Sequence, residues 1–292
     1  MKKIVVISLL TLVAIVLVYL FFEYALPTLS PNNASLSVNV SGESAKIYLN
    51  NKEIGKTPYY SAKQKIGDYD LEVRRGTTKW VTKVTLTSHT LTMLEVDLSK
   101  ENLFTSANNL SFKSGERSLL VLTKPDKTKV FLDEHSKGTS PQKLSPSAGV
   151  SSLKIAKDGY LTREVPVSIE EDHTSTALIY LSADPFGVTK KLDGNAKVTL
   201  FGFYNSFIDL SRDYSSWAEG VDHTQISFSS NETHFDALVD PNGKVYPLNP
   251  TQWQNKLSSK ADANVGYLSK DANYTLTASA KSSWESLKSK FN

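Results

Sequence analysis

An internal repeat constrains the fold of this chain more than any other feature. The stretch IYLNNKEIGKTP at residues 47–58 returns as VFLDEHSKGTSP at residues 130–141, a spacing of 83 residues. The flanking stretches return in the same order, IGDYDLEV as AGVSSLKI, WVTKVTLT as LTREVPVS, and MLEVDLS as LIYLSAD. A repeat of this length is a whole small domain, because solenoid units span only about 20 to 50 residues. The sequence therefore predicts two copies of one module.

Each copy is built from short segments in which apolar and polar residues alternate. Examples are SLSVNV, AKIYLN and KWVTKVTLT, which are rich in β-branched and aromatic types and bounded by Gly, Asn, Asp or Ser. This pattern is typical of half-buried β-strands. Since the chain contains no cysteine, disulfides cannot stabilise the modules and hydrophobic packing must do so. We expect a mainly β protein.

The letters Gly55-Lys56-Thr57 match the end of a nucleotide-binding P-loop. A P-loop also needs a glycine five positions earlier and a helix that follows directly. Position 50 is an asparagine, and Pro58 with the residues after it does not begin a helix. The second copy has Thr139-Ser140 in place of Lys-Thr. We therefore expect no nucleotide, and we interpret the stretch as a hairpin with Asn50-Asn51 as the turn and a glycine that adopts positive φ or permits close backbone approach.

The two stretches "IYLNNKEIGKTP…IGDYDLEVRRG" and "VFLDEHSKGTSP…AGVSSLKIAKDGY" resemble PEGA domains. The pattern of that family is a strand, an Asp/Asn turn, Gly-x-[Thr/Ser]-Pro, a glycine before an alternating strand, and often Gly-Tyr. The Pro-Glu-Gly-Ala string that names the family is absent. The resemblance covers about residues 34 to 183 and implies small β-sandwich modules of exported or membrane-anchored proteins, without a family catalytic residue. The matching residues are Gly55, Thr57, Pro58, Gly67, Gly138, Ser140, Pro141, Gly149, Gly159 and Tyr160.

The N-terminus predicts a signal anchor. Residues 4–22 contain no charge, glycine or proline, and at about 1.5 Å rise per residue this length spans a bilayer core of roughly 30 Å. Lys2 and Lys3 favour a cytoplasmic N-terminus. A cleaved signal peptide is the alternative, but FFEYALPTLS offers no convincing cleavage site, so we favour an uncleaved single-pass anchor. Residues 25–292 are then extracytoplasmic.

The composition divides the chain into successive parts. We expect an anchor over 1–24, a linker over 25–33, module 1 over 34–100, a linker over 101–116, module 2 over 117–183, and an α+β domain of unrecognised type over 184–292. The last domain mixes alternating segments with helical spacing. Three helices are predicted there, from the steps of Phe207, Leu210, Tyr214, Trp217 and Val221, from a cap at Asn249 followed by Pro250, and from Trp284, Leu287 and Phe291.

The C-terminal domain carries two sets of candidate site residues. Asp222, His223, His234 and Asp236, together with Glu232, form a local acid and histidine cluster. Two histidines and a carboxylate could bind zinc with an open position for water. The tight spacing of a zinc motif is missing, however, so we expect no metal and no cofactor. The second set is Tyr246, Trp253 and Tyr267, which would form a protein or carbohydrate contact surface if Trp253 is exposed.

Charge and motif content exclude several function classes. The net charge is +3, and two of the lysines belong to the anchor, so the exported part is nearly neutral and lacks the basic stripe of a nucleic-acid binder. No Gly-x-Ser-x-Gly elbow occurs. The sequence favours a non-catalytic, membrane-anchored cell-envelope protein whose β modules present the C-terminal domain to an envelope protein or a cell-wall glycan. The alternatives are an anchored hydrolase with its site around His223 and His234, and an accessory subunit of an envelope export or sensory complex.

Overall fold

The protein is mainly β. The computed structural model describes residues 33–204, 213–227, 234–269 and 271–292. The predicted anchor over 1–24 lies outside the described residues, as do Phe207, Leu210 and Glu232. Within those four ranges, no helix combines the length and apolar character needed to span a bilayer.

The first module consists of seven strands in two facing sheets. The strands are β1 (Asn33–Val40), β2 (Lys46–Leu49), β3 (Lys52–Lys56), β4 (Tyr59–Lys65), β5 (Gly67–Arg75), β6 (Thr78–Leu86) and β7 (Leu91–Asp97). One sheet contains β4, β1 and β7, with β1 antiparallel to β4 and parallel to β7, and the other has the order β3-β2-β5-β6. The inward side chains Leu36, Ile47, Leu71 and Leu94 are almost fully buried between the sheets. An eighth strand, β8 (Ser106–Ser114), follows the module.

The second module repeats this arrangement strand for strand. Its strands are β9 (Ser118–Lys124), β10 (Lys129–Leu132), β11 (His135–Thr139), β12 (Gln142–Leu144), β13 (Gly149–Ala156), β14 (Arg163–Ile169) and β15 (His173–Tyr180). As in the first module, the first strand is antiparallel to the fourth and parallel to the seventh, and the remaining sheet has the order β11-β10-β13-β14. The structure therefore contains two copies of one topology.

The segment 101–116, expected to be a linker, is part of the main sheet. A 3₁₀ turn at Asn102–Phe104 leads into β8, which pairs antiparallel with β7 on one side and with β15 on the other. The two modules thereby share one seven-stranded sheet of order β12-β9-β15-β8-β7-β1-β4. The segment predicted as a linker therefore forms a strand, because β8 obtains its hydrogen bonds from β7, which lies just before it in the sequence, and from β15, which lies far after it.

Side chains also connect the two modules. Trp80 of β6 packs edge-on against Tyr180 of β15 with ring centroids 5.0 Å apart, and the Tyr180 hydroxyl lies 2.6 Å from Thr82 Oγ1. Arg163 of β14 donates from Nη1 to Ser106 Oγ at 2.7 Å and from Nε to the side-chain oxygen of Asn108. Burial lowers the pKa of the Arg163 guanidinium from its ordinary value.

Within its described residues, the C-terminal part has its own sheet and three helices. The sheet has the order β16-β17-β20-β18-β19, and the helices pack around it. The predicted helices are confirmed within the described residues, and Asn249 caps the second through a bond from Gln252 N. The elements are β16 (Val188–Gly194), β17 (Val198–Tyr204), α1 (Tyr214–Ser227), β18 (Ala237–Val239), β19 (Val245–Pro247), α2 (Pro250–Ser259), β20 (Ala263–Leu268) and α3 (Ala278–Phe291).

The C-terminal part docks on the end of the seven-stranded sheet where β7 finishes. Phe104, in the 3₁₀ turn just beyond β7, is 1% exposed and packs edge-on against Trp217 of α1 at 5.6 Å between centroids. Gly220 lies so close to this ring that a Cβ there would sit 2.2 Å from a ring carbon. Phe104 therefore belongs to the same core cluster as Phe186 and Phe203.

Candidate ligand-binding cleft

A cleft of about 370 Å³ opens between module 1 and α1. One wall is the turn between β5 and β6 together with the segment after β7, and the other wall is one face of α1. The α1 residues are spaced by three or four positions, which places them on one helical face. The lining residues are Arg75, Gly76, Thr77, Thr78, Leu98, Ser99, Lys100, Glu219, Asp222, His223 and Ile226.

A histidine and a carboxylate contact each other where α1 lies against the end of β7. His223 Nε2 of α1 lies 3.2 Å from Asp97 Oδ2 at the end of β7, and the two side chains are only 18% and 10% exposed. The two residues are 126 positions apart in the sequence. Sequence reasoning grouped His223 with its chain neighbours and missed Asp97, because no local pattern connects a strand end to a helix that follows so much later.

A second ion pair crosses the rim of the cleft. Lys100 Nζ lies 3.6 Å from Glu219 Oε1, with side chains 72% and 43% exposed. Exposed pairs of this kind contribute at most about 1 kcal/mol, since solvent screens them and both side chains lose rotamer freedom. The pair therefore adds little to the docking of α1 on module 1, but each of its two charged groups already has a partner.

Asp222 is the second carboxylate that lines the cleft, beside Glu219. Burial raises its pKa above the ordinary value, while the nearby charges of Lys100, His223 and His234 act in the opposite direction. Among the described residues it accepts no hydrogen bond and forms no ion pair within 4 Å. A half-buried carboxylate without donors is costly, and a donor group from a ligand would lower that cost.

Ser99 and Arg75 add further polar atoms to the same walls. Ser99 is 1% exposed, and its Oγ has no hydrogen-bond partner in the part of the chain that the structure describes. Arg75 donates from Nη2 to the carbonyls of Ser41 and Glu43, at 2.6 and 2.8 Å, which fixes the β5–β6 turn. Its Nε is likewise without a partner there.

The remaining members of the predicted acid and histidine cluster serve the C-terminal fold. Asp236 Oδ2 accepts from Asn264 N at 2.9 Å, and its Oδ1 pairs with Lys256 Nζ at 2.8 Å. His234 contributes its carbonyl to Asn264 Nδ2 at 2.9 Å. Within the described ranges, no three His, Asp or Glu side chains are grouped so that they could hold a metal ion.

The predicted aromatic contact surface is wrong. Trp253 and Tyr267 are only 3% and 1% exposed and lie in the core between the C-terminal sheet and its helices. Tyr246 is half-buried and donates its hydroxyl to Asp240 Oδ2 at 3.1 Å. Burial, with Asp240 nearby, raises the pKa of Tyr246 to about 12. Trp253 and Tyr267 stabilise the domain and are not available to a partner.

The repeated Gly-x-[Thr/Ser]-Pro stretch has a structural role in both copies. The Thr57 hydroxyl accepts from Ala45 N at 2.9 Å, and the Ser140 hydroxyl accepts from Thr128 N, the equivalent amide, at 3.1 Å. Gly55 lies within β3, and no helix follows it, so the local structure is not that of a P-loop. The peptide bonds before Pro58 and Pro141 are both cis.

The glycines of the motif fulfil both expected roles. A Cβ on Gly55 would lie 2.8 Å from the Tyr59 ring, so this position requires close approach. Gly138 instead has φ +99, where side chains other than hydrogen are strained. Three more of the matching glycines, Gly67, Gly149 and Gly159, also have positive φ. Tyr160 follows Gly159, and its amide donates to Lys157 O.

The model of the PEGA domain family matches residues 33–102, which contain the whole first module. The resemblance of this module is therefore confirmed. Neither a curated protein nor a solved structure matches the chain.

Proposed function

We propose that the protein is a non-catalytic, membrane-anchored cell-envelope protein in which two PEGA modules present the C-terminal domain to an extracytoplasmic partner. Residues 4–22 anchor it in the membrane, with the N-terminus in the cytoplasm. The partner is an envelope protein or a cell-wall glycan. The anchored hydrolase and the accessory subunit stay predictions without a supporting observation of their own.

The assignment of the second module to the PEGA family is part of this proposal. It is supported by the repetition of all seven strands with the same pairing. The turn residues support it too, because Asn50 Oδ1 accepts from Asp70 N and Asp133 Oδ1 accepts from Ser152 N at equivalent places. Such local agreement is expected when two sequences specify one fold.

The observation that carries the proposal is the position of the chain ends on the seven-stranded sheet. The described chain enters at Asn33, at the start of β1, and β1 runs parallel to β7. The C-terminal domain docks beyond Asp97, at the opposite end of these strands. Eight residues of strand extend about 26 Å, at roughly 3.3 Å per residue. An anchor that precedes Asn33 would therefore hold the C-terminal domain on the far side of the sheet.

The shared sheet makes this spacer stiff. A flexible linker between the modules would permit them to reorient, whereas β8 is hydrogen-bonded to both. Domain arrangement then depends on a continuous ladder of bonds and not on linker length. The distance between the start of β1 and the presented domain is set by the fold.

The topology can be tested with single cysteines, because the chain has none of its own. Gln254→Cys, on the exposed side of α2, should react with a membrane-impermeant maleimide in intact cells. Lys2→Cys, the matched control, should react only after the cells are lysed. Removal of residues 1–24 should release the protein from the membrane fraction. Labelling of Lys2→Cys but not of Gln254→Cys in intact cells would contradict the proposal.

A further inference from the structure

The cleft between module 1 and α1 contains a specific set of unpaired polar groups. We propose that it binds a primary ammonium group on an aliphatic stem, namely a lysine side chain of a partner protein. This inference names the ligand of the binding role proposed above and rests on that role.

The acceptors in the cleft match an ammonium group. Asp222 supplies a carboxylate that has no ion-pair partner within 4 Å among the described residues. Thr77 and Thr78 lie in the wall opposite α1, and the buried Ser99 Oγ has no partner in the described ranges. An ammonium group carries three donors and no acceptor. A carboxylate and two hydroxyl oxygens can accept hydrogen bonds from all three donors.

Each cation that lines the cleft has a partner, although Arg75 Nε has none among the described residues. Lys100 pairs with Glu219, His223 pairs with Asp97, and Arg75 donates to two backbone carbonyls of the chain before β2. An anionic ligand that binds Lys100 or His223 would have to displace one of these contacts and would also meet the charge of Asp222. The Asp222 carboxylate, which has no ion-pair partner within 4 Å among the described residues, therefore favours a cation in this part of the cleft.

The apolar part of the cleft suits an aliphatic stem. Ile226 is 74% exposed and lies one helical turn after Asp222, on the same face of α1. In a lysine side chain the methylene groups adjoin the ammonium, so the methylenes can pack on Ile226 while the ammonium contacts Asp222. Such stems bury their methylenes on apolar surface. Ligand pockets begin at about 300 Å³, so the observed 370 Å³ accommodates one side chain with its adjoining backbone.

The test uses the full chain in lipid nanodiscs and fluorescence anisotropy. The probes are a fluorescein-labelled Gly-Gly-Lys-Gly-Gly amide and the same peptide with norleucine, which keeps the stem and lacks the charge. The lysine peptide should bind about tenfold or more tightly than the norleucine peptide, as expected for a charge-assisted hydrogen bond. Asp222→Asn should remove this difference. The matched control Glu285→Gln changes an exposed residue of α3 outside the cleft. It should leave the difference between the two peptides unchanged.

A second variant tests the site without altering its charge. Ile226→Ser, at an exposed position, should weaken both peptides several-fold while the thermal unfolding midpoint is retained. Equal binding of the lysine and norleucine peptides or tighter binding of a glutamate peptide would each overturn the inference. These results would not alter the cysteine labelling, so failure of this inference is distinguishable from failure of the proposed topology.

Discussion

Thr57 and Ser140 show what the repeated motif contributes at the scale of single residues. In each copy a hydroxyl accepts the amide that begins the second strand, and both side chains are at most 5% exposed. A buried amide that loses its acceptor costs about 1 to 3 kcal/mol. The motif therefore fixes the crossing from one sheet to the other by satisfying a backbone donor.

The first prediction concerns this bond. Thr57→Val keeps the shape of the side chain but leaves Ala45 N–H without its acceptor, so the free energy of unfolding should fall by about 1 to 3 kcal/mol in chemical denaturation. Thr57→Ser should retain most of the stability. Thr77→Val, at an exposed position, is the matched control and should change little. Equal losses for Thr57→Val and Thr77→Val would contradict the role of the bond.

The second prediction concerns pH. Hydrogen bonds from the Lys288 ammonium, at 2.7 Å, and from Trp284 Nε1, at 2.6 Å, lower the pKa of Asp193 to about 2. Because the folded-state pKa lies below the ordinary value, the ionised carboxylate stabilises the fold above about pH 4 and this contribution is lost as the pH falls toward 2.

Asp193→Asn should therefore flatten the pH dependence of stability between about pH 4 and 2, measured as the urea midpoint across this range. Asp262→Asn, at a carboxylate that is 79% exposed, serves as the control. An unchanged slope in Asp193→Asn would show that other carboxylates account for the acid sensitivity of the C-terminal domain.

At the scale of elements, β8 decides how the modules are related. Its sequence, SANNLSFKS, contains three polar residues near its centre and four buried positions at its start, a pattern without clean alternation. Pairing on both edges imposes the strand, with the preceding strand β7 on one side and the distant strand β15 on the other. This is tertiary structure overriding a weak local signal.

The third prediction follows from that placement. In hydrogen exchange, the amides of β8 should be as protected as those of β7 and β15, because they open only when the shared sheet unfolds. The edge strand β4 provides the internal comparison, since it is paired on one side only. Rapid exchange throughout residues 106–114 would instead indicate a mobile connection between two independent modules.

At the scale of the whole molecule, the C-terminal domain is positioned by the close approach of α1 to Phe104. Gly220 permits this approach, and His223 adds the contact with Asp97. The cleft exists only because these contacts hold α1 beside module 1. Its formation and the stability of the interface are therefore coupled.

The fourth prediction tests this coupling. Gly220→Ala should destabilise the docked arrangement by about 1 to 3 kcal/mol, because the added methyl overlaps the Phe104 ring. The environment of Trp217 should change with it, which intrinsic fluorescence can report. Gly115→Ala is the matched control, since its Cβ would meet the nearest atom at 3.5 Å, an ordinary contact. Identical behaviour of the two variants would show that α1 can shift without cost.

The sequence alone determined the modules. Alternating apolar residues, turn-forming Asn50-Asn51 and the Gly-x-[Thr/Ser]-Pro stretch are local signals, and they act within a few residues of one another. The predicted helices at Asn249 and at Trp284 were recognisable for the same reason, since a cap and a helical face are both local. The repeat then showed that one fold occurs twice.

Tertiary structure decided the rest. The shared sheet through β8, the burial of Trp253 and Tyr267, and the pairing of Asp97 with His223 all depend on residues far apart in the sequence. A periodic pattern shows that a side chain will be buried or exposed on its own element, but not which distant surface covers it. The cleft therefore became visible only when β7, the β5–β6 turn and α1 were brought together by the fold.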